Sequence, residues 1–339
     1  MTEQNPAAVN ERNSAAVAEQ NPPDDSADHG VDVTEQNVSD DGRAASMTDA
    51  GASAQSDVAR LRASAIDALG QAGIESPDVD AELLIGHVLG LSRGQVQAKA
   101  IIGSPVSFAD AATIDSAVER RAGREPLQHI TGTAPFRAIE LSVGPGVFVP
   151  RPETETVAQY AIDALGAVAG GAPIGVDLGT GSGAIALALA TEVPHAMVHA
   201  VENSADAFVW AKRNFERLRR GNARLVFGDL ACAFPELDGL VDVVISNPPY
   251  IPLGAIPRDP EVRLFDPEYA LYGGADGLDV VHSVSTTARR LLHAGGTLVI
   301  EHGELQGAAI SALLASDGWN AIATHRDLLG RDRATTALR

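Results

Sequence analysis

The chain has 339 residues, 45% of them hydrophobic, and a formal net charge of −20. That length fits about two domains with a sizeable core, and the acidic total argues against a nucleic-acid binder that works by neutralising phosphates, although a local basic patch is compatible with it. A single cysteine, Cys232, leaves no intrachain disulfide framework and no Cys-rich zinc site. No apolar run approaches the ~20 residues of a membrane span, and the polar, acidic start has no secretory apolar core, so a cytoplasmic protein is expected.

Residues 1–55 carry eleven acids against Arg12 and Arg43, about −9 of the total charge, and almost no large apolar side chains. Such a segment buries too little to fold and is expected to be a disordered acidic tail. The TEQN tetrapeptide at Thr2–Asn5 and Thr34–Asn37 is an echo rather than a structural repeat, and Met47 is a candidate for the true start of translation that the sequence alone does not decide.

Over residues 56–128 the pattern turns helical. Val58, Leu61, Ala65, Ile66 and Leu69 recur at helical spacing before Gly70 and Gly73. Asp78–Leu89 reads as a second helix, opened by Ser76-Pro77 and closed by Gly90; Phe108–Arg121 reads as another, with Ser107 as its N-cap. Together they predict a small helical bundle. His87 falls on or near an apolar stripe and is expected to pack or cap rather than hold a metal.

Residues 129–150 alternate apolar positions (Thr131, Thr133, Phe136, Ile139, Leu141, Val143) between glycines and prolines, which predicts a β-hairpin linker. Phe148-Val149-Pro150-Arg151-Pro152 is a stiff segment expected to border a pocket, and Glu153 and Glu155 open a helix over Thr154–Leu165, where its dipole favours acids.

Residues 151–339 alternate strand and helix. Strands are expected at Ile174–Leu178, Met197–Val201, Arg224–Phe227, Val241–Ser246 and Gly296–Glu301, and helices at Ala184–Thr191, Ala205–Arg219, Val280–His293 and Leu305–Ser316. Asn320–His325 and Arg333–Leu338 read as a terminal antiparallel hairpin. The fold class expected is therefore α/β, a doubly wound, mostly parallel sheet preceded by the helical bundle and the hairpin linker.

Candidate chemistry clusters where predicted strands end. Gly179-Thr180-Gly181-Ser182-Gly183 turns a strand into a helix, a geometry that brings backbone amides close to a ligand. Its third glycine comes one residue early for the dinucleotide pattern, which suits a nucleoside without a pyrophosphate. Glu202 ends the next strand and is placed to accept ribose hydroxyls; Asp229 ends the third and is placed to meet an adenine amino group. Each acid taken alone reads equally well as a helix cap. The fourth strand stops at Asn247-Pro248-Pro249-Tyr250, where two prolines cannot join the ladder and so fix the direction of an amide and an aromatic ring. The Pro-rich stretch that follows, through Arg258, Arg263 and Asp266–Leu271, is long for a connection and reads as a loop with a function.

Asp177–Gly183, Glu202, Asp229 and Asn247–Tyr250 together resemble the class I S-adenosylmethionine-dependent methyltransferases, and the tetrapeptide resembles the subset that methylates planar, conjugated amino groups. With Glu125–Gly132, Phe148–Glu155 and Glu301-His302-Gly303, the stretch from 57 to 339 is similar to the HemK/PrmC family, the glutamine-N5 methyltransferases of peptide chain release factors. The resemblance implies S-adenosylmethionine as methyl donor and the glutamine of the release-factor GGQ motif as substrate, with release factors 1 and 2 as partners. It implies a substrate-recognition role for the helical domain. Asp177, Gly179, Thr180, Gly181, Ser182, Gly183, Glu202, Asp229, Leu230 and Asn247 would bind the cofactor; Leu230 stands where some relatives have an aromatic residue. Asn247, Pro248 and Tyr250 would be catalytic, and Asn247, Pro248, Pro249, Tyr250 and Arg263 would meet the substrate. No metal and no direct nucleic-acid contact are implied, and a monomer is expected. The alternatives are a ribosomal protein L3 glutamine methyltransferase and a DNA adenine-N6 methyltransferase, the second lacking a basic target-recognition domain here; a non-catalytic adaptor would call for a damaged tetrapeptide, and a haem-metabolic role finds no motif.

Overall fold

The computed structural model describes residues 56–339, so the acidic tail lies outside the described residues. Five helices come first: α1 (Val58–Gln71), α2 (Pro77–Leu89), α3 (Arg93–Ile101), α4 (Phe108–Ala122) and the short α5 (Leu127–Thr131). Local chemistry starts and stops them. Asp57 accepts from the Arg60 amide, Ser107 accepts from that of Asp110, and Gly90 closes α2 in the left-handed conformation. Leu69, Leu84, Ile85, Val96 and Ile114 are fully buried in a core of their own, each worth about 1.5–3 kcal/mol of transfer free energy. The buried Glu82 carboxylate ties three helices together through Arg62 at 2.6 Å, Arg93 at 2.5 Å and Gln97 at 2.8 Å.

Helix α3 escapes the apolar-periodicity reading because Val96 is its sole buried residue; the signal that reveals it is the reciprocal capping box of Ser92 and Gln95. Helix α5 runs across residue 128, where the sequence reading ends the helical segment, and takes Thr131 with it. His87 is exposed in the last turn of α2, so of the two expected roles it does not pack in the core, and it stands instead at the helix end where a capping residue would.

The hairpin pairs β1 (Thr133–Phe136) with β2 (Ile139–Ser142). It is built into the larger core: Phe136, Leu141, Val143 and Val147 are buried against α6 (Pro152–Ala167) and α7 (Ala184–Glu192). At its turn Arg137 holds a positive φ of 50°, and its guanidinium reaches Glu192 at 2.5 Å and Gln159 at 2.6 Å. These bonds clamp the turn onto both helices and offset the strain of a left-handed non-glycine residue.

The remaining elements are β3 (Ile174–Leu178), β4 (Met197–Glu202), α8 (Ala205–Leu218), β5 (Ala223–Phe227), β6 (Val241–Ser246), α9 (Pro260–Phe265), α10 (Asp279–Leu291), β7 (Leu292–Glu301), α11 (Gly307–Ser316), β8 (Asn320–Arg326) and β9 (Asp332–Leu338). The sheet order is β5-β4-β3-β6-β7-β9-β8, with β9 antiparallel to both neighbours. Helices α6, α7 and α8 cover one face and α10 and α11 the other. This is the doubly wound, mostly parallel α/β sheet expected from the strand and helix alternation. β3 and β6 are parallel neighbours, and the order in which strands are added reverses between them, the switch point at which such sheets open a ligand crevice. Leu292 and His293 belong to β7 and not to the preceding helix: Leu292 is extended, pairs with Val241, and a register shift follows before Thr297 meets Val243.

Candidate active site

One side of the crevice is the turn from β3 into α7. Gly179, Gly181 and Gly183 all have positive φ, at 77°, 58° and 86°, a region that side chains with a Cβ rarely enter. The Gly179 and Thr180 amides both donate to the Val201 carbonyl at 3.0 Å, which docks the turn on β4. Asp177 lies beneath it, fully buried. Its Oδ2 accepts from Thr180 Oγ1 at 2.6 Å and from the Ala186 amide at 3.1 Å, while its Oδ1 has no partner among the described residues. Burial, reinforced by the charge of Glu202, pushes the Asp177 carboxyl up to about 7 against these two donors. Glu202 accepts from the Gly181 amide at 2.8 Å with one oxygen and from the Ser204 amide at 2.8 Å with the other. Ser182 is buried, and its carbonyl accepts from Asn214 of α8 at 2.9 Å. The same Asn214 side chain exchanges two hydrogen bonds with the Ser142 backbone, so β2 is tied to the glycine turn. Asp229 is exposed at the end of β5 and caps the 3-10 turn Leu230–Cys232, and Leu230 is half-buried against the core.

The opposite side begins where β6 ends. Pro248 is buried, and Asn247, Pro249 and Tyr250 are partly exposed. Asn247 Nδ2 donates to Thr154 Oγ1 of α6 at 3.4 Å. Ser246 pairs with Ile300, so Asn247 runs alongside Glu301 at the end of β7. Glu301 is fully buried; burial pushes its carboxyl up to about 7 against the Thr154 and Asn247 donors and the charge of Arg333, and its Oε2 has no hydrogen-bond partner among the described residues. Burial, with the charge of Glu301, also drives the Tyr250 hydroxyl upward, so it stays a neutral phenol. The Tyr250 carbonyl accepts from Gln306 Nε2 at 2.8 Å, and Gln306 Oε1 accepts from the Gly303 amide at 3.0 Å. Gly273 and Gly277 back the Pro249 and Tyr250 carbonyls so closely that a Cβ at either would overlap them. His302 is buried and spans the Gly303 carbonyl and Thr335 Oγ1, both at 2.9 Å, with its pKa held down by burial.

The stretch after Tyr250 is not a bare loop. It contains α9 and a 3-10 turn at Glu268–Ala270, and charged pairs hold it at two points. Arg151 reaches the buried Asp266 at 2.6 Å while lying over the Phe148 ring. Glu261 meets Arg121 at 2.8 Å and Arg124 at 3.2 Å, and Arg121 also holds Asp80 of α2 at 2.7 Å. Arg263 is exposed on α9.

The glycine turn, Asp177, Glu202, Asp229 and the tetrapeptide thus all stand at the carboxyl ends of β3, β4, β5 and β6. Thr154, Asn214, Gln306 and the Arg121–Glu261 pair carry no local signal and escape the sequence reading. Glu301 does have one: a carboxylate closing an otherwise apolar buried strand.

Two family models match the chain, one described as the PrmC N-terminal domain over residues 60–132 and one as the methyltransferase small domain over residues 145–256. A release factor glutamine methyltransferase of Streptomyces coelicolor is 50% identical over 277 residues, covering 81% of this chain and 95% of that protein. One from Bifidobacterium longum is 44% identical over 275 residues, covering 78% and 94%. A 4-amino-L-phenylalanine/4-methylamino-L-phenylalanine methyltransferase of Streptomyces pristinaespiralis is 45% identical over 204 residues, covering 59% of this chain and 69% of that protein. Identity of this order, spread over both the helical and the sheet-bearing parts and over nearly the whole length of the first two relatives, shows that the chain belongs to the release factor glutamine methyltransferase family.

Proposed function

We propose that this enzyme transfers the methyl group of S-adenosylmethionine to the side-chain amide nitrogen (N5) of the GGQ glutamine in peptide chain release factors 1 and 2, modulating translation termination. The observation that carries the reading is the Asn-Pro-Pro-Tyr turn across the switch point from the glycine turn, in a chain with these relatives. The residues present fit the cofactor. Among the described residues nothing beyond the chain neighbours lies within 4 Å of where a Cβ would stand on Gly179 or Gly181, which leaves backbone open to a ligand, and Asp177 Oδ1 is a buried acceptor without a partner. Thr180, Ser182 and Gly183 shape that cradle, Glu202 serves the ribose, and Asp229 and Leu230 border the adenine. When bound, the cofactor supplies an electrophilic methyl group on a sulfonium.

An amide nitrogen is a poor nucleophile because its lone pair is shared with the carbonyl. It carries two N–H donors, and the Asn247 Oδ1 and the Pro248 carbonyl are two acceptors on a stiff frame. Holding both N–H groups aims the nitrogen and favours the pyramidal geometry it must adopt, while Tyr250 packs on the amide plane and Pro249 keeps the turn rigid. Orientation and preorganised electrostatics supply the rate. Tyr250, kept protonated, is no base, and none is needed: the methylated nitrogen is strongly acidic and passes its proton to water. The helical domain (56–128) recognises the release factor, the hairpin (129–150) joins it to the catalytic domain (151–339), the 251–271 segment walls the glutamine channel, and Arg263 steadies the substrate backbone. We read the enzyme as a cytoplasmic monomer with no direct contact to nucleic acid.

The test offers labelled S-adenosylmethionine with release factor, ribosomal protein L3, duplex DNA and 4-amino-L-phenylalanine side by side, with Asn247→Ala as control. One methyl mass on a release-factor glutamine, absent with Asn247→Ala, is expected. Label on another acceptor alone overturns the substrate, and unchanged turnover by Asn247→Ala overturns the site.

A further inference from the structure

We propose that Glu301 is a positioning residue that decides which end of the Asn247 amide faces the substrate. The inference rests on the reading above, in which Asn247 Oδ1 must accept an N–H from the target glutamine. The two ends of an amide are nearly the same size, so packing alone does not choose between them; hydrogen bonds do. With Oδ1 toward the substrate, Nδ2 needs acceptors behind it. The structure has Nδ2 donating to Thr154 Oγ1 at 3.4 Å. A hydroxyl both donates and accepts, so Thr154 tolerates either orientation. An ionised carboxylate accepts only. Glu301 stands beside Asn247 across the β6–β7 pairing, is 1% exposed, and has Oε2 without a partner among the described residues. As a carboxylate it draws the Thr154 O–H and the Asn247 N–H toward itself and leaves Oδ1 facing the crevice. As a carboxylic acid it can donate to Oδ1, which turns Nδ2, a donor, toward the two N–H groups of the substrate.

A buried acid at the end of an apolar strand costs stability, which is retained most readily where it has a task. The charged and titratable groups facing it are Glu153 from α6, Tyr250 after β6 and Arg333 from β9, with His302 next along the chain. Their balance with burial brings the carboxyl to about 7, so it changes state where activity is measured. Asp177 titrates in the same range on the cofactor side, and its ionisation would appear in cofactor affinity.

The experiment is single-turnover methylation of a release factor at saturating cofactor between pH 5.5 and 9 (roughly 1.5–2 units either side of the Glu301 carboxyl), for the wild type, Glu301→Gln and Thr154→Val, with cofactor Kd measured by calorimetry at each pH. The wild-type rate is expected to rise through about pH 7 to a plateau. Glu301→Gln should lose that rising limb and fall below the wild-type plateau by about tenfold or more, with cofactor Kd and release-factor KM nearly unchanged. Thr154→Val should lower the rate less and keep the limb. A wild-type rate without a limb overturns the proposal without any variant, as does a limb and plateau retained in Glu301→Gln. If Asn247→Ala is inactive while Glu301→Gln matches the wild type, this inference alone fails; if Asn247→Ala is fully active, the reading of the site fails with it.

Discussion

On the cofactor side of the crevice, the carboxylates that support the glycine turn are fixed from nearby in the chain: Asp177 is bonded 3 and 9 residues on, and Glu202 reaches back 21 residues to Gly181. On the substrate side, Asn247 is held by Thr154, 93 residues away, and the Tyr250 carbonyl by Gln306, 56 residues away. The first side is a strand–turn–helix unit whose geometry follows from glycine φ values and one β-pairing. The second is assembled from α6, β7 and the 271–306 region, and its shape depends on all of them packing together. Binding of the cofactor and orientation of the substrate should therefore be separable by substitution.

The sharpest test of that separation is Asn247→Ala, expected to lower kcat by about 100- to 1,000-fold while cofactor Kd, measured by calorimetry, stays close to the wild-type value. Next come two glycines of similar backbone but opposite sides. Gly277→Ala meets both a φ of 81° and the Tyr250 carbonyl; it should cost about 3 kcal/mol, visible as a Tm lowered by roughly 6–10 °C, and depress kcat more than cofactor binding. Gly183→Ala meets a φ of 86° and the Phe215 ring 3.0 Å away; it should cost about 1–2 kcal/mol and show itself chiefly as weaker cofactor binding. Identical signatures from the two would break the comparison.

A smaller effect is expected from Glu202→Gln. One of the two backbone amides now held by the carboxylate loses its acceptor, and cofactor Kd should rise about tenfold with saturated turnover unaffected; a lowered kcat instead would mean that the two sides are not independent. Smallest is Glu261→Gln, which loosens the substrate-side segment from α4. An increase in release-factor KM of about fivefold, equivalent to about 1 kcal/mol, is expected in steady-state kinetics. Burial works to raise the Glu261 carboxyl, but the hydrogen bond and charge of Arg121 outweigh it and bring it down to about 2. A depressed carboxylate contributes stability that is complete above its unfolded pKa and is lost as pH falls from about 4.5 toward 2. Acid titration of Tm should therefore fall less steeply in Glu261→Gln over that window.

Much of the fold was legible because its signals are local. Apolar periodicity placed α1, α2 and α4, short apolar runs placed β3, β4 and β6, and Ser107 and Gly90 marked helix ends. Where a signal is weak or non-local, the reading missed: α3 buries one side chain, and the α10–β7 boundary is set by pairing of Leu292 with Val241 rather than by Leu292 itself. His87 looked inward by spacing, yet the bundle closes without it.

The amino-acid sequence by itself determined the glycine turn, the carboxylates that end the strands and the stiff Asn-Pro-Pro-Tyr stop, because φ restrictions, missing N–H groups and side-chain chemistry act within a few residues. Tertiary structure alone decided that the hairpin joins the catalytic core, that Arg121 grips the 251–271 segment through Glu261, and that a buried carboxyl from β7 stands beside Asn247. Those relations are choices of sheet order and packing between distant segments, which no local propensity encodes.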